Sequence, residues 1–112
     1  LSEKNWRELA KLGHNWDGYG AKPLDPSMIF TAKKLFGKLS DFSEPHVVPG
    51  SSGSIQFEWW DIHNDKFLDL EIEDLQTVHY LRGETSEGFE EEDIIPIEDI
   101  KEIIELVSWV HG

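Results

Sequence analysis

Glu58, Glu71 and His79 are the residues of this chain whose types could do chemistry together. The segments that carry the two glutamates, Ile55–Trp60 and Leu68–Ile72, alternate apolar with polar residues, the period of half-buried strands. A two-residue turn at Asn64-Asp65 places Glu58 opposite Glu71, Trp60 opposite Asp69 and Ile62 opposite Phe67. A three-residue loop at Asp74-Leu75-Gln76 then places His79 opposite Glu71, so a Glu–Glu–His row crosses three strands. Paired carboxylates with an imidazole bind divalent metals or transfer protons. Against both uses, no second His lies nearby in sequence, no nucleophile accompanies the row, and a flat sheet face is a poor cleft. No metal, no cofactor and no catalytic residue is therefore expected. The face reads instead as a contact surface, with Trp60 and Phe67 as aromatic anchors ringed by Glu58, Asp69 and Glu71. Cover by another element or by a second copy of the chain is the other reading.

The remaining chemistry-bearing residues make no recognisable site. There is no Cys, and His14, His46, His63, His79 and His111 have no metal-ligand spacing. Gly13, Gly18 and Gly20 follow no strand and precede no Gly-Lys-Ser/Thr, so they match no phosphate-binding loop. Ser51, Ser52 and Ser54 lack a nucleophile-elbow context.

Charge is more telling. Residues 1–40 hold seven Lys/Arg against four Asp/Glu, a net +3, whereas residues 41–112 hold three against nineteen, a net −16. Such a field repels nucleic acid and anionic membrane and accelerates encounter with a basic protein. Residues 83–93 read as an acidic, mobile loop, either solubilising or an arm in which Glu90, Glu91 and Glu92 surround Phe89 and dock on a basic groove.

The elements that must position these residues are legible in outline. Residues 2–13 form a short helix capped by Ser2, with Trp6, Leu9 and Ala10 on one face and Gly13 at its end. Asp25-Pro26 opens a second helix with the stripe Met28/Ile29, Ala32, Leu35/Phe36 and Leu39. Three strands follow, with Val47-Val48 a candidate fourth. A last helix after Pro96 buries Ile97, Ile100, Ile103/Ile104, Val107 and Val110. The expected fold is a single α+β domain over residues 1–112: a three- or four-stranded antiparallel β-meander with two N-terminal helices and one C-terminal helix, α-α-β-β-β-α.

Between the first two helices lies Asn15-Trp16-Asp17-Gly18-Tyr19-Gly20-Ala21-Lys22-Pro23. This segment resembles the N-W-D-[GS]-Y-G-A-x-P signature of an uncharacterised group of small bacterial proteins with a similar order of elements. The resemblance implies the fold and a bacterial or phage origin, and no activity. Trp16, Asp17, Gly18, Tyr19 and Gly20 are read as a structural loop. Trp16 and Tyr19 would plug the junction of the helices while Asp17 bonds the turn's backbone.

The function these features favour is a small acidic protein-binding module, an antitoxin- or immunity-type inhibitor of a basic partner. The alternatives are a DNA mimic carried by a phage or mobile element, a structural subunit of a homo-oligomer, and last a carboxylate/His enzyme. Without Cys, a signal-like start or an apolar run of membrane-spanning length, the expected location is the cytoplasm.

Overall fold

Ser2 starts the first helix by a reciprocal cap: its hydroxyl accepts the Asn5 backbone N–H at 3.2 Å, and Asn5 Oδ1 accepts the Ser2 N–H at the same distance. In the computed structural model, which describes residues 1–112, this helix (α1) runs Glu3–Ala10 and buries only Trp6. It closes ahead of Gly13, and Ala10 faces solvent. So short a helix is held by its packing. Trp6 meets Phe36 edge-on at 5.6 Å between ring centroids, Phe36 meets Phe57 at 6.0 Å, and Phe57 meets Trp59 at 6.2 Å. That aromatic chain fastens α1 through α2 (Pro26–Lys38) to the sheet. As expected, Asp25 caps α2, accepting the Ser27 N–H at 2.8 Å with Pro26 in the first turn.

The sheet has five antiparallel strands in sequence order: β1 (His46–Pro49), β2 (Ile55–Asp61), β3 (Lys66–Ile72), β4 (Thr77–Glu84) and β5 (Phe89–Pro96). The third helix, α3 (Ile100–Val110), packs on β2 and β3, α2 packs on β2, and α1 packs on α2. One sheet face thus carries the core. Ile55, Phe57, Leu68, Leu70, Ile72 and Val78 are fully buried there, against Leu35 of α2 and Ile103, Leu106 and Val107 of α3. Leu106 takes the place expected for Ile104, which is 37% exposed.

Two expectations need correcting. Residues 83–93 are not a mobile loop. Thr85–Glu87 form a single 3-10 turn closed by Gly88 at φ 63°, and the acidic run Phe89–Pro96 returns as the fifth strand. What pairs it is β4, not its own alternation: Glu91 meets Arg82 across the ladder, and only Ile95 of the strand is buried. Acids on this edge also discourage a further strand from adding.

The β2–β3 turn is likewise longer than two residues. Asp61 Oδ1 accepts the backbone N–H groups of His63 (2.9 Å) and Asn64 (3.3 Å), and Oδ2 accepts the Asn64 side-chain amide at 2.7 Å. Asp65 then turns the chain at φ 55°. Four residues, Ile62–Asp65, lie outside the ladder, so the register moves by two: Glu58 pairs with Asp69, Trp60 with Phe67 and Asp61 with Lys66. A slip of two leaves every side chain on its expected face.

The loop between α1 and α2 is braced by its own hydrogen bonds. Asp17 Oδ1 accepts the N–H groups of Tyr19 (2.8 Å) and Ala21 (3.1 Å), and the Trp16 indole donates to the Lys22 carbonyl at 2.9 Å. Gly18 and Gly20 adopt φ near 80°, where a side chain would be strained. Tyr19, however, is 93% exposed and plugs nothing. Of this segment it is Ala21 and Leu24 that reach the interior. Asp17→Ala strands two backbone donors and should cost about 1–2 kcal/mol of stability in urea denaturation, while Asp17→Asn, which keeps an acceptor, recovers most of it.

Candidate functional site

The sheet face opposite the core has no helix over it, and its composition follows from the register. Residues paired across antiparallel strands share a face. One row is therefore His46–Glu58–Asp69–Leu81–Glu92, the next Val48–Gln56–Glu71–His79–Ile94, and a third Trp60–Phe67–Gly83–Glu90. Trp60 and Ile94 are 74% and 60% exposed. Five carboxylates lie in these rows, and no Lys or Arg does. Gly83 makes room for Phe67: a Cβ there would come within 2.5 Å of Phe67 Cε1, so the ring reaches over the glycine.

The expected pairing of Glu71 with His79 is present. The imidazole sits among three carboxylates, with Nε2 3.0 Å from Glu92 Oε2 and Nδ1 3.9 Å from both Glu71 Oε1 and Glu73 Oε1. Glu58 is not part of this group, because its cross-strand partner is Asp69. The donor atoms of Glu71, Glu73 and His79 lie within 4.8 Å of one another, a set that in kind suits a divalent cation. Hydrogen bonds in this group run from His79 Nε2 to Glu92 at 3.0 Å and from the buried Ser54 hydroxyl to Glu71 Oε2 at 2.8 Å.

The other carboxylate pair is not satisfied. β1 pairs with β2 only as far as Glu58, so Trp59–Asp61 have a strand neighbour on one side alone. A groove of about 910 Å³ opens there, and its lining includes Glu58, Trp60, Phe67 and Asp69 together with Asp61 and the imidazoles of His46, His63 and His111. Glu58 takes one hydrogen bond, from the Gln56 amide at 3.0 Å. Asp69 takes none and meets no cation. Its burial, and then the charge of Glu58 opposite, push its carboxyl up to about 6.

Not every residue expected at the surface belongs to this face. Glu91 and Phe89 project to the opposite side of β5. Glu91 Oε1 accepts from Tyr80 Oη (2.8 Å), Arg82 Nε (3.0 Å) and Arg82 Nη2 (2.9 Å), while Phe89 lies edge-on to Trp109 at 6.1 Å. Glu58, Trp60, Phe67, Asp69, Glu71, Glu90 and Glu92 do share the open face. Residues missed from the sequence are His46, Glu73 and the Glu58–Asp69 pairing itself. The signal for the last was Asp61 three residues ahead of Asn64, which marks a longer, side-chain-braced turn.

No family model, curated protein or solved structure matches the chain, so its geometry is the basis for function.

Asp69 binds its proton more tightly folded than unfolded, so stability falls as pH rises from 3.8 to about 6. Asp69→Asn removes that loss. Allowing for solvent screening at a half-buried site, the variant should be more stable than the parent by about 1 kcal/mol near pH 7.5, with the gap closing by about pH 4. Paired denaturation curves across this range test it, and a gap independent of pH would contradict it.

Proposed function

We propose that this protein is a small acidic binding module whose open sheet face engages a basic surface of a partner protein, occluding it as an antitoxin or immunity protein does. The observation that carries this reading is the composition of the uncovered face, with Glu58, Asp69, Glu71, Glu90 and Glu92 in three adjacent rows and no Lys or Arg among them. Unbalanced charge of this kind speeds encounter with an oppositely charged protein and rejects like-charged ones. Trp60, Phe67 and Ile94 add apolar surface of the sort that anchors an interface once water is excluded.

The acids form a patch across neighbouring strands, not a long double row, which favours an inhibitor over a mimic of the DNA backbone. The basic residues of the helices Lys33, Lys34 and Lys38 lie on α2, away from this face, so partner and module would orient by opposite poles.

The test pairs charge reversal with salt. Glu90→Lys/Glu92→Lys changes two exposed side chains at the sheet edge and gives up the contact of Glu92 with His79, so a melting curve checks that the variant stays folded. A basic protein captured from native lysate should bind less tightly at high salt, and the reversed variant should bind it at least about tenfold more weakly, chiefly through a slower on-rate. A captured partner that is acidic, or one indifferent to both changes, would refute the reading.

A further inference from the structure

We propose that the groove beside the unpaired end of β2 is a receptor for one guanidinium group, an arginine side chain of the basic partner, held by Glu58 and Asp69 and stacked on Trp60. This rests on the reading of the open face as a surface for a basic protein, and it names the contact that would give the surface its selectivity.

Like charges directly opposite one another in a sheet are unfavourable, and they ordinarily persist beside a compensating cation. Glu58 and Asp69 have none. The two nearest basic residues on β3 and β4 are committed to the other side of the sheet. Lys66 Nζ donates to the Trp109 carbonyl at 3.3 Å and lies 4.9 Å from that indole's centroid. Arg82 also stacks on Trp109, at 4.9 Å, and is bonded to Glu91. His46 stands opposite Glu58 in the row but makes no ion pair with it. The pair is thus two carboxyl groups facing one another across the strands with no Lys or Arg beside them.

The surroundings select the kind of cation. Trp60 and Phe67 pair across the strands two residues along from Glu58 and Asp69, which sets an exposed indole face beside the carboxylates. An aromatic face next to two acceptors on adjacent strands suits a planar group that stacks and donates through several N–H groups at once. A guanidinium does both, whereas an ammonium is a compact, strongly hydrated point charge that does neither as well. At about 910 Å³ the groove also has room for the chain on either side of the arginine, alongside the strand edge at Trp59–Asp61.

The probes are Nα-acetyl-arginine amide and Nα-acetyl-lysine amide, each carrying a single positive charge, titrated into the full chain by ¹⁵N NMR. The readout is the Trp60 indole N–H, assigned by its loss in Trp60→Phe. The arginine probe should shift that resonance saturably, and the lysine probe should bind at least about fivefold more weakly. Asp69→Asn should weaken the arginine probe at least about tenfold, and Glu90→Lys/Glu92→Lys should leave it within about twofold, because the groove and the β5 edge are separate parts of the face. The absence of a saturable shift at Trp60, equal response to both probes, or indifference to Asp69→Asn would each overturn the proposal. Should any of these occur while partner capture stays salt-sensitive and is lost on charge reversal, the arginine receptor is wrong and the acidic binding face stands. Loss of both removes both.

Discussion

The two-residue period of the strands, with all three helices confined to one face, is the constraint on which the rest of this structure depends. Phe57, Leu68 and Leu70 are fully buried beneath α2 and α3. Their neighbours in sequence, Glu58, Asp69 and Glu71, must therefore point the other way. No single-residue slip can rescue an acid from that face without expelling the core, since such a slip turns over every side chain of the strand. The acidic surface is as firmly specified as the hydrophobic interior. Both follow from one alternation, and the interior enforces it.

The same constraint sorts the few cations of the acidic part of the chain. Lys66 and Arg82 occupy positions on the helix side, where their stems and charges pack over Trp109, and Arg82 neutralises Glu91. Their absence from the outer rows leaves repulsion there without a cation, and the charge of Glu58 adds to burial in raising the carboxyl of Asp69. Solvent moderates that repulsion and the buried sheet face outweighs it, so the domain can carry a surface that is unfavourable in isolation. Around His79 the acids gather differently, with three glutamates about one imidazole.

How much of this was legible depends on where the determining interaction lies. The Asp25-Pro26 start of α2 is local: one side chain caps the next turn, and sequence suffices. The strands β2 to β4 are legible because their alternation is strong. The fifth strand was hidden, since Phe89-Glu90-Glu91-Glu92-Asp93-Ile94-Ile95 shows no alternation, and its order comes from pairing with β4 and the Arg82 ion pair. The Glu58–Asp69 pair was missed through a turn whose length is set by Asp61's bonds to His63 and Asn64. The faces survived that error because the slip was even. Tyr19 was misplaced for another reason: the loop's own hydrogen bonds close it, leaving the phenol nothing to fill.

The two edges of the sheet are protected to different extents. β5 guards its edge with exposed acids and ends in Pro96, both of which oppose the addition of another strand. β1 guards the other edge by covering β2, but it is only four residues long and begins at His46, directly after Pro45, so the cover stops at Glu58. The uncovered stretch is the one that bears Trp60, and it adjoins the one carboxylate pair with no cation. An edge left open at random would have no reason to coincide with both. Holding two like charges and an indole in place before any ligand arrives costs the free protein stability. If the proposed arginine docks there, that cost is repaid in part, because the like charges are already side by side and need not be brought together on binding.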